Sequence, residues 1–185
     1  MVNLKKVKEK VEYNSPVILT FIIICCALCI ANYVTLGLVN NLLALRKLLS
    51  IQLVTHIFVH GDINHLTNNM LVILLVGPMV ESKYGSGRTA MMILITSVII
   101  GVLTVSIFHV GLLGASGIAY MILALSACSN IKNNKIPASA LILLLFIVVS
   151  QILSAIFVRD NVSQGAHIIG LFMGVAWAFI YKNID

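Results

Sequence analysis

The sequence predicts an all-α polytopic membrane protein, a bundle of six transmembrane helices with one interfacial outer loop between helices 1 and 2. Three observations predict it. Sixty percent of the 185 residues are hydrophobic and only 10% are charged, against roughly a quarter charged in a soluble domain. The apolar residues come in uncharged blocks, at 16–45, 63–80, 89–131, 136–158 and 161–181. Lys and Arg gather on one side of the bundle that those blocks imply.

The elements follow in order. A membrane helix needs about 20 mostly apolar residues, so four blocks hold one helix each. The block 89–131 is too long for one span and too short for three. Gly111 and Gly114 break it in two, which gives helices near 17–38, 64–81, 89–109, 115–131, 137–158 and 165–181. The first follows Lys5, Lys6, Lys8 and Lys10 as a signal peptide would. Its apolar run exceeds the roughly 7–15 residues of a signal core, and no small-x-small site follows, so it reads as a retained helix. Residues 38–62 mix apolar side chains with Asn40, Asn41, Arg46, Lys47, Ser50 and Gln52. That stretch reads as an outer loop with a short amphipathic helix in the membrane interface. The organisation is a cytoplasmic tail at 1–15, one membrane domain at 16–181 and a cytoplasmic tail at 182–185.

With the N-terminus inside, nine basic residues face the cytoplasm: Lys5, Lys6, Lys8, Lys10, Lys83, Arg88, Lys132, Lys135 and Lys182. Three face out: Arg46, Lys47 and Arg159. The net charge of +6 therefore reports orientation and not nucleic-acid binding. Cys25, Cys26, Cys29 and Cys128 lie within apolar helices and match no zinc or disulfide pattern. Trp177 and Tyr181 read as interface aromatics at the inner end.

Polar residues inside a span are costly and so mark function. The second helix carries His65 and Asn69 on one face, after His56 and His60. The fourth opens with Gly114-Ala115-Ser116-Gly117, with Tyr120 one turn on. The sixth carries His167, Gly170 and Gly174 on one face. In the topology set by Lys and Arg, these three helices run in the same direction. His65, Asn69, Ser116 and His167 all fall near their outer ends, at matching depth. A serine hydroxyl needs a base to become a nucleophile, and His167 is the base within reach if Gly117 packs on Gly170 and Gly174. No Asp or Glu is placed to orient His167, which leaves Tyr120 to hold the ring by stacking. The Ser116 amide, Asn69 and His65 are the available oxyanion donors. Serine is also an ordinary capping and packing residue, and a buried histidine is often only a helix–helix bond; it is the combination that points to chemistry.

With these motifs the chain resembles the rhomboid intramembrane serine proteases. The residues that carry the resemblance are Gly114 to Gly117; Ala166, His167, Gly170 and Gly174; His56, His60, His65 and Asn69; and the stretch Gly77 to Gly87 with Glu81. It covers roughly residues 16–181 and implies Ser116 as nucleophile and His167 as general base. It also implies oxyanion contacts from His65 and Asn69, a stacking role for Tyr120 and a structural role for Glu81. The substrates implied are membrane-spanning proteins, cleaved near the outer face of a prokaryotic cell membrane, with no cofactor or metal. The chain departs from the family where Ile51-Gln52 stands for a common Trp-Arg pair. Three other readings compete: a non-catalytic rhomboid-like protein that binds or sorts membrane proteins, a metallohydrolase on His56, His60 and His65, and a transporter. Retention of Ser116 and His167 argues against the first. The second lacks His-Glu-x-x-His, and the third lacks a midplane acid.

Overall fold

The computed structural model describes residues 13–48, 50–109, 111–129, 138–157 and 164–183. Its described elements are helical. α1 spans Pro16–Val34, α2 Leu38–Leu43, α3 Gln52–Thr55, α4 Ile63–Tyr84, α5 Ser86–Leu103, α6 Ser116–Cys128, α7 Ala138–Phe157 and α8 Gln164–Ile180. The six longer ones are the six predicted helices, with ends moved by up to three residues at the starts and six at the finishes. Pro16–Val34, Ile63–Tyr84 and Ser86–Ile107 are each long and apolar enough to cross a membrane, and Ser116–Cys128, Leu141–Ser154 and Gln164–Ile180 are shorter apolar stretches of helix. The protein is an integral membrane protein. Lys5, Lys6, Lys8, Lys10, Lys132, Lys135 and Arg159, and the connections expected at 130–136 and 159–163, lie outside the described residues.

Local sequence sets the helix ends. Pro16 occupies the first turn of α1, where its missing N–H is no loss. The Asp62 side chain caps α4 by accepting from the His65 N–H at 2.9 Å. Gly85, at φ 80°, turns α4 directly into α5. Where one helix was expected to run to 109, α5 instead stops at Leu103 and widens into a π-helical turn, Thr104–Phe108. His109 ends that turn at φ 54°.

α6 is the hub. Gly117, Ile118, Ala119, Met121, Ile122, Ala124, Leu125 and Cys128 are all buried. It packs against α8 at backbone contact distance: a Cβ on Gly170 would overlap the Gly117 carbonyl oxygen, and one on Gly174 would overlap that of Met121. Lipid supplies no hydrophobic drive between helices, so small residues and close packing hold this pair. α4, α6 and α8 run the same way, because their C-terminal ends share one end of the bundle. There Lys83 Nζ donates to the Ser129 carbonyl, and Tyr84 and Arg88 both lie against the Tyr181 ring.

Two features differ from the sequence reading. The loop between α1 and α4 contains two short helices, α2 and α3, with a 3₁₀ turn at His56–Phe58, not a single amphipathic helix. Gln52, which stands in the place of the arginine common in the family, ties the loop together by donating to the Leu42 carbonyl at 2.9 Å and accepting from the Arg46 N–H at 3.1 Å. Trp177 is not an interface aromatic: it is buried and donates to Thr96 Oγ1 at 3.1 Å. Glu81 is buried too, and its carboxyl oxygens accept from the N–H groups of Val17 and Ile18 and from Ser86 Oγ. It fastens α4 to the N-terminus of α1, where a helix dipole favours an acidic group.

Candidate active site

The segment before α6 is fixed from several sides, and that fixes Ser116. Leu112 forms an isolated antiparallel bridge with Leu45 in the loop between α1 and α4, with N···O distances of 2.8 and 2.9 Å. The Gly114 N–H donates to the His56 carbonyl at 2.9 Å. The Ala115 N–H donates to His60 Nε2 at 3.3 Å. Gly114 sits at φ 111°, and the His65 ring lies where its Cβ would be, so only glycine fits both the turn and the neighbour. Ser116 then begins α6, at the N-terminal end of the helix.

His56 and His60 serve as struts. His56 Nδ1 bonds the Gln52 carbonyl at 2.9 Å, and His60 stacks edge-on against His65 at 5.2 Å. Burial pushes both rings down to about 4; for His60 the nearby His65 adds to the effect. Both are therefore neutral at physiological pH and keep a lone pair for hydrogen bonding.

The α6–α8 contact brings Ser116 Oγ to 2.9 Å from His167 Nε2. His167 is buried. Tyr120, one turn below Ser116, stacks on its ring with centroids 4.5 Å apart and planes 26° apart. The opposite nitrogen, Nδ1, lies 2.7 Å from Gln151 Oε1 on α7. Gln151 Nε2 in turn donates to the Tyr120 hydroxyl at 2.8 Å. Reading the sequence singled out Tyr120 and missed Gln151. The signal was present: Gln151 is the one carboxamide in the uncharged block 136–158.

A cavity of about 680 Å³ opens beside Ser116, lined by Arg46, Asp62, His65, Asn68 and Leu112 among others. His65 and Ser116 share its wall. Asn69 is buried, and its side-chain NH₂ has no partner among the described residues. α6 has 13 residues, a rise of roughly 20 Å against a hydrocarbon core of about 30 Å. If its far end reaches one membrane surface, Ser116 lies several Å below the other.

Comparison with known proteins agrees with this architecture. Residues 49–184 match the Rhomboid domain family. The chain is similar to proteins named Rhomboid protease GlpG from Salmonella newport (strain SL254), Salmonella heidelberg (strain SL476) and Salmonella typhi. It is 28% identical to each over 131 residues, which is 68% of this chain and 46% of the relative. The chain thus spans about half the length of the curated relatives that it matches.

Proposed function

The chain belongs to the Rhomboid family, and on that premise we propose that it is an intramembrane serine endopeptidase working through a Ser116–His167 dyad. One observation carries this reading above the others: Ser116 Oγ stands 2.9 Å from His167 Nε2, and Ser116 lines the wall of a cavity of about 680 Å³ together with His65.

The chemistry follows from the parts. His167 Nε2 takes the Ser116 proton as Oγ attacks a peptide carbonyl. The oxyanion that forms is met by the Ser116 N–H at the α6 N-terminus, by the Asn69 NH₂ and by His65. The protonated His167 returns its proton to the departing amine, leaving an acyl group on Ser116. Water then attacks that ester, with His167 again taking the proton, and free Ser116 and a carboxylate product result. No cofactor enters.

The substrates in this reading are membrane-spanning proteins. A helical peptide bond is shielded by its own backbone hydrogen bonds, so a segment that unwinds near the membrane surface is the one that enters. The basic residues put both termini in the cytoplasm and the cavity on the outer side. Ser116→Ala in the reconstituted chain tests the claim. Cleavage of a reporter span is expected to vanish, and cleavage that survives the substitution would leave a non-catalytic, membrane-protein-binding role as the better reading.

A further inference from the structure

α7 turns nearly all of its described side chains outward. Leu141, Leu145, Phe146, Ile152 and Phe157 are exposed, and only Ile147 and Gln151 are buried. These two are four residues apart and share one face. A glutamine on an otherwise lipid-facing helix is costly unless both its carbonyl and its NH₂ find partners. Both do, and both partners belong to the site.

We propose that Gln151 is a positioning residue that selects the tautomer of His167, filling with a neutral carboxamide the place where an acid would complete a triad. The inference rests on the reading of Ser116 and His167 as nucleophile and base. Oε1 carries no hydrogen, so at 2.7 Å from His167 Nδ1 it requires the imidazole proton on Nδ1. A neutral imidazole has one N–H, so Nε2 then presents its lone pair to Ser116 Oγ, as a base must. In this arrangement the Tyr120 hydroxyl accepts from Nε2 of Gln151 at 2.8 Å, which leaves Oε1 facing Nδ1. An amide turned over would donate to Nδ1, and the only imidazole proton would point at Ser116. Tyr120 therefore makes two contacts: its ring stacks on His167, and its hydroxyl anchors the Gln151 amide. A neutral acceptor selects the tautomer without placing a second buried charge beside the imidazolium that forms in turnover.

The test uses the full chain in detergent, with ¹⁵N-labelled histidine. The resonances of the neutral His167 ring are identified by their loss in His167→Gln. In the wild type the proton is expected on Nδ1. Gln151→Met keeps the side-chain length and removes the acceptor. It is expected to move the proton partly to Nε2 and to lower kcat about 10- to 100-fold, with KM changed less than about twofold. Gln151→Glu, which restores an acceptor oxygen, is expected to return the proton to Nδ1 and recover most of kcat. Tyr120→Phe keeps the stack and loses the hydroxyl; it is expected to populate both tautomers. A wild-type proton on Nε2 overturns the proposal, as does Gln151→Met with an unchanged spectrum and an unchanged kcat. The spectrum reads the hydrogen bond whether or not the chain cleaves anything, so failure of the catalytic reading is seen separately, in Ser116→Ala.

Discussion

Replacing Gly170 by alanine is expected to separate the two halves of the dyad without touching either. An added Cβ would overlap the Gly117 carbonyl oxygen, with the Gly117 carbonyl carbon at 3.0 Å and Cα at 3.2 Å. All three obstacles are backbone, so no rotamer change relieves them. α6 and α8 must part by about 1 Å to restore ordinary contact distances. Ser116 adjoins Gly117, and His167 lies one turn before Gly170, so the separation falls on the Ser116–His167 bond itself. From 2.9 Å it stretches past the roughly 3.5 Å at which a hydrogen bond is lost. A misplacement of about 1 Å in a catalytic pair lowers rate on the order of 100-fold. The overpacking costs about 1–3 kcal/mol of stability, which leaves the bundle folded. The assay is kcat on a reporter span in liposomes, beside a thermal unfolding scan. Gly87→Ala is the control, because a Cβ there meets nothing within 4 Å, and it is expected to match wild type. A folded Gly170→Ala protein with kcat within about twofold of wild type would refute the claim that glycine packing sets the dyad.

Two further predictions concern stability. Glu81→Ala removes the acceptor of two backbone N–H groups and one hydroxyl at the foot of α1; buried donors left unpaired cost about 1–3 kcal/mol each, so unfolding in detergent is expected about 3 kcal/mol earlier, with Glu81→Gln milder because it keeps one acceptor oxygen. His56 and His60 titrate at about 4 when folded and near 6.5 when unfolded. Between those values the unfolded chain binds more protons, so stability is full above pH 6.5, falls as pH drops toward 4 and levels below it. Each histidine accounts for about 3 kcal/mol of that fall. A melting temperature that stays flat from pH 7 to pH 4.5 would contradict the strut role.

The six helices were legible because a bilayer fixes helix length. The uncharged blocks and the break at Gly111–Gly114 place every long helix to within a few residues. Ser116, His167 and Tyr120 stood out because a polar side chain inside an apolar span is costly and therefore conspicuous. What was not legible depends on which face meets which neighbour. Trp177 looked interfacial because only the fold supplies Thr96 as its partner. Gln151 was missed because no family motif on α7 marks it, and only the fold brings it to His167 and Tyr120. The π-helical turn at Thr104–Phe108 leaves no trace in periodicity, since the block is apolar on every side. Gln52 shows the reverse case: its departure from the family pattern was visible, and only the structure shows the bonds it makes in return.

The central claim is that His167 activates Ser116. The most direct measurement is labelling of the reconstituted chain with a fluorophosphonate, with the adduct mapped by mass spectrometry. The account predicts one adduct, on Ser116, whose formation is lost in His167→Ala while that variant stays folded. Labelling of Ser116 at an undiminished rate in a folded His167→Ala chain would contradict it.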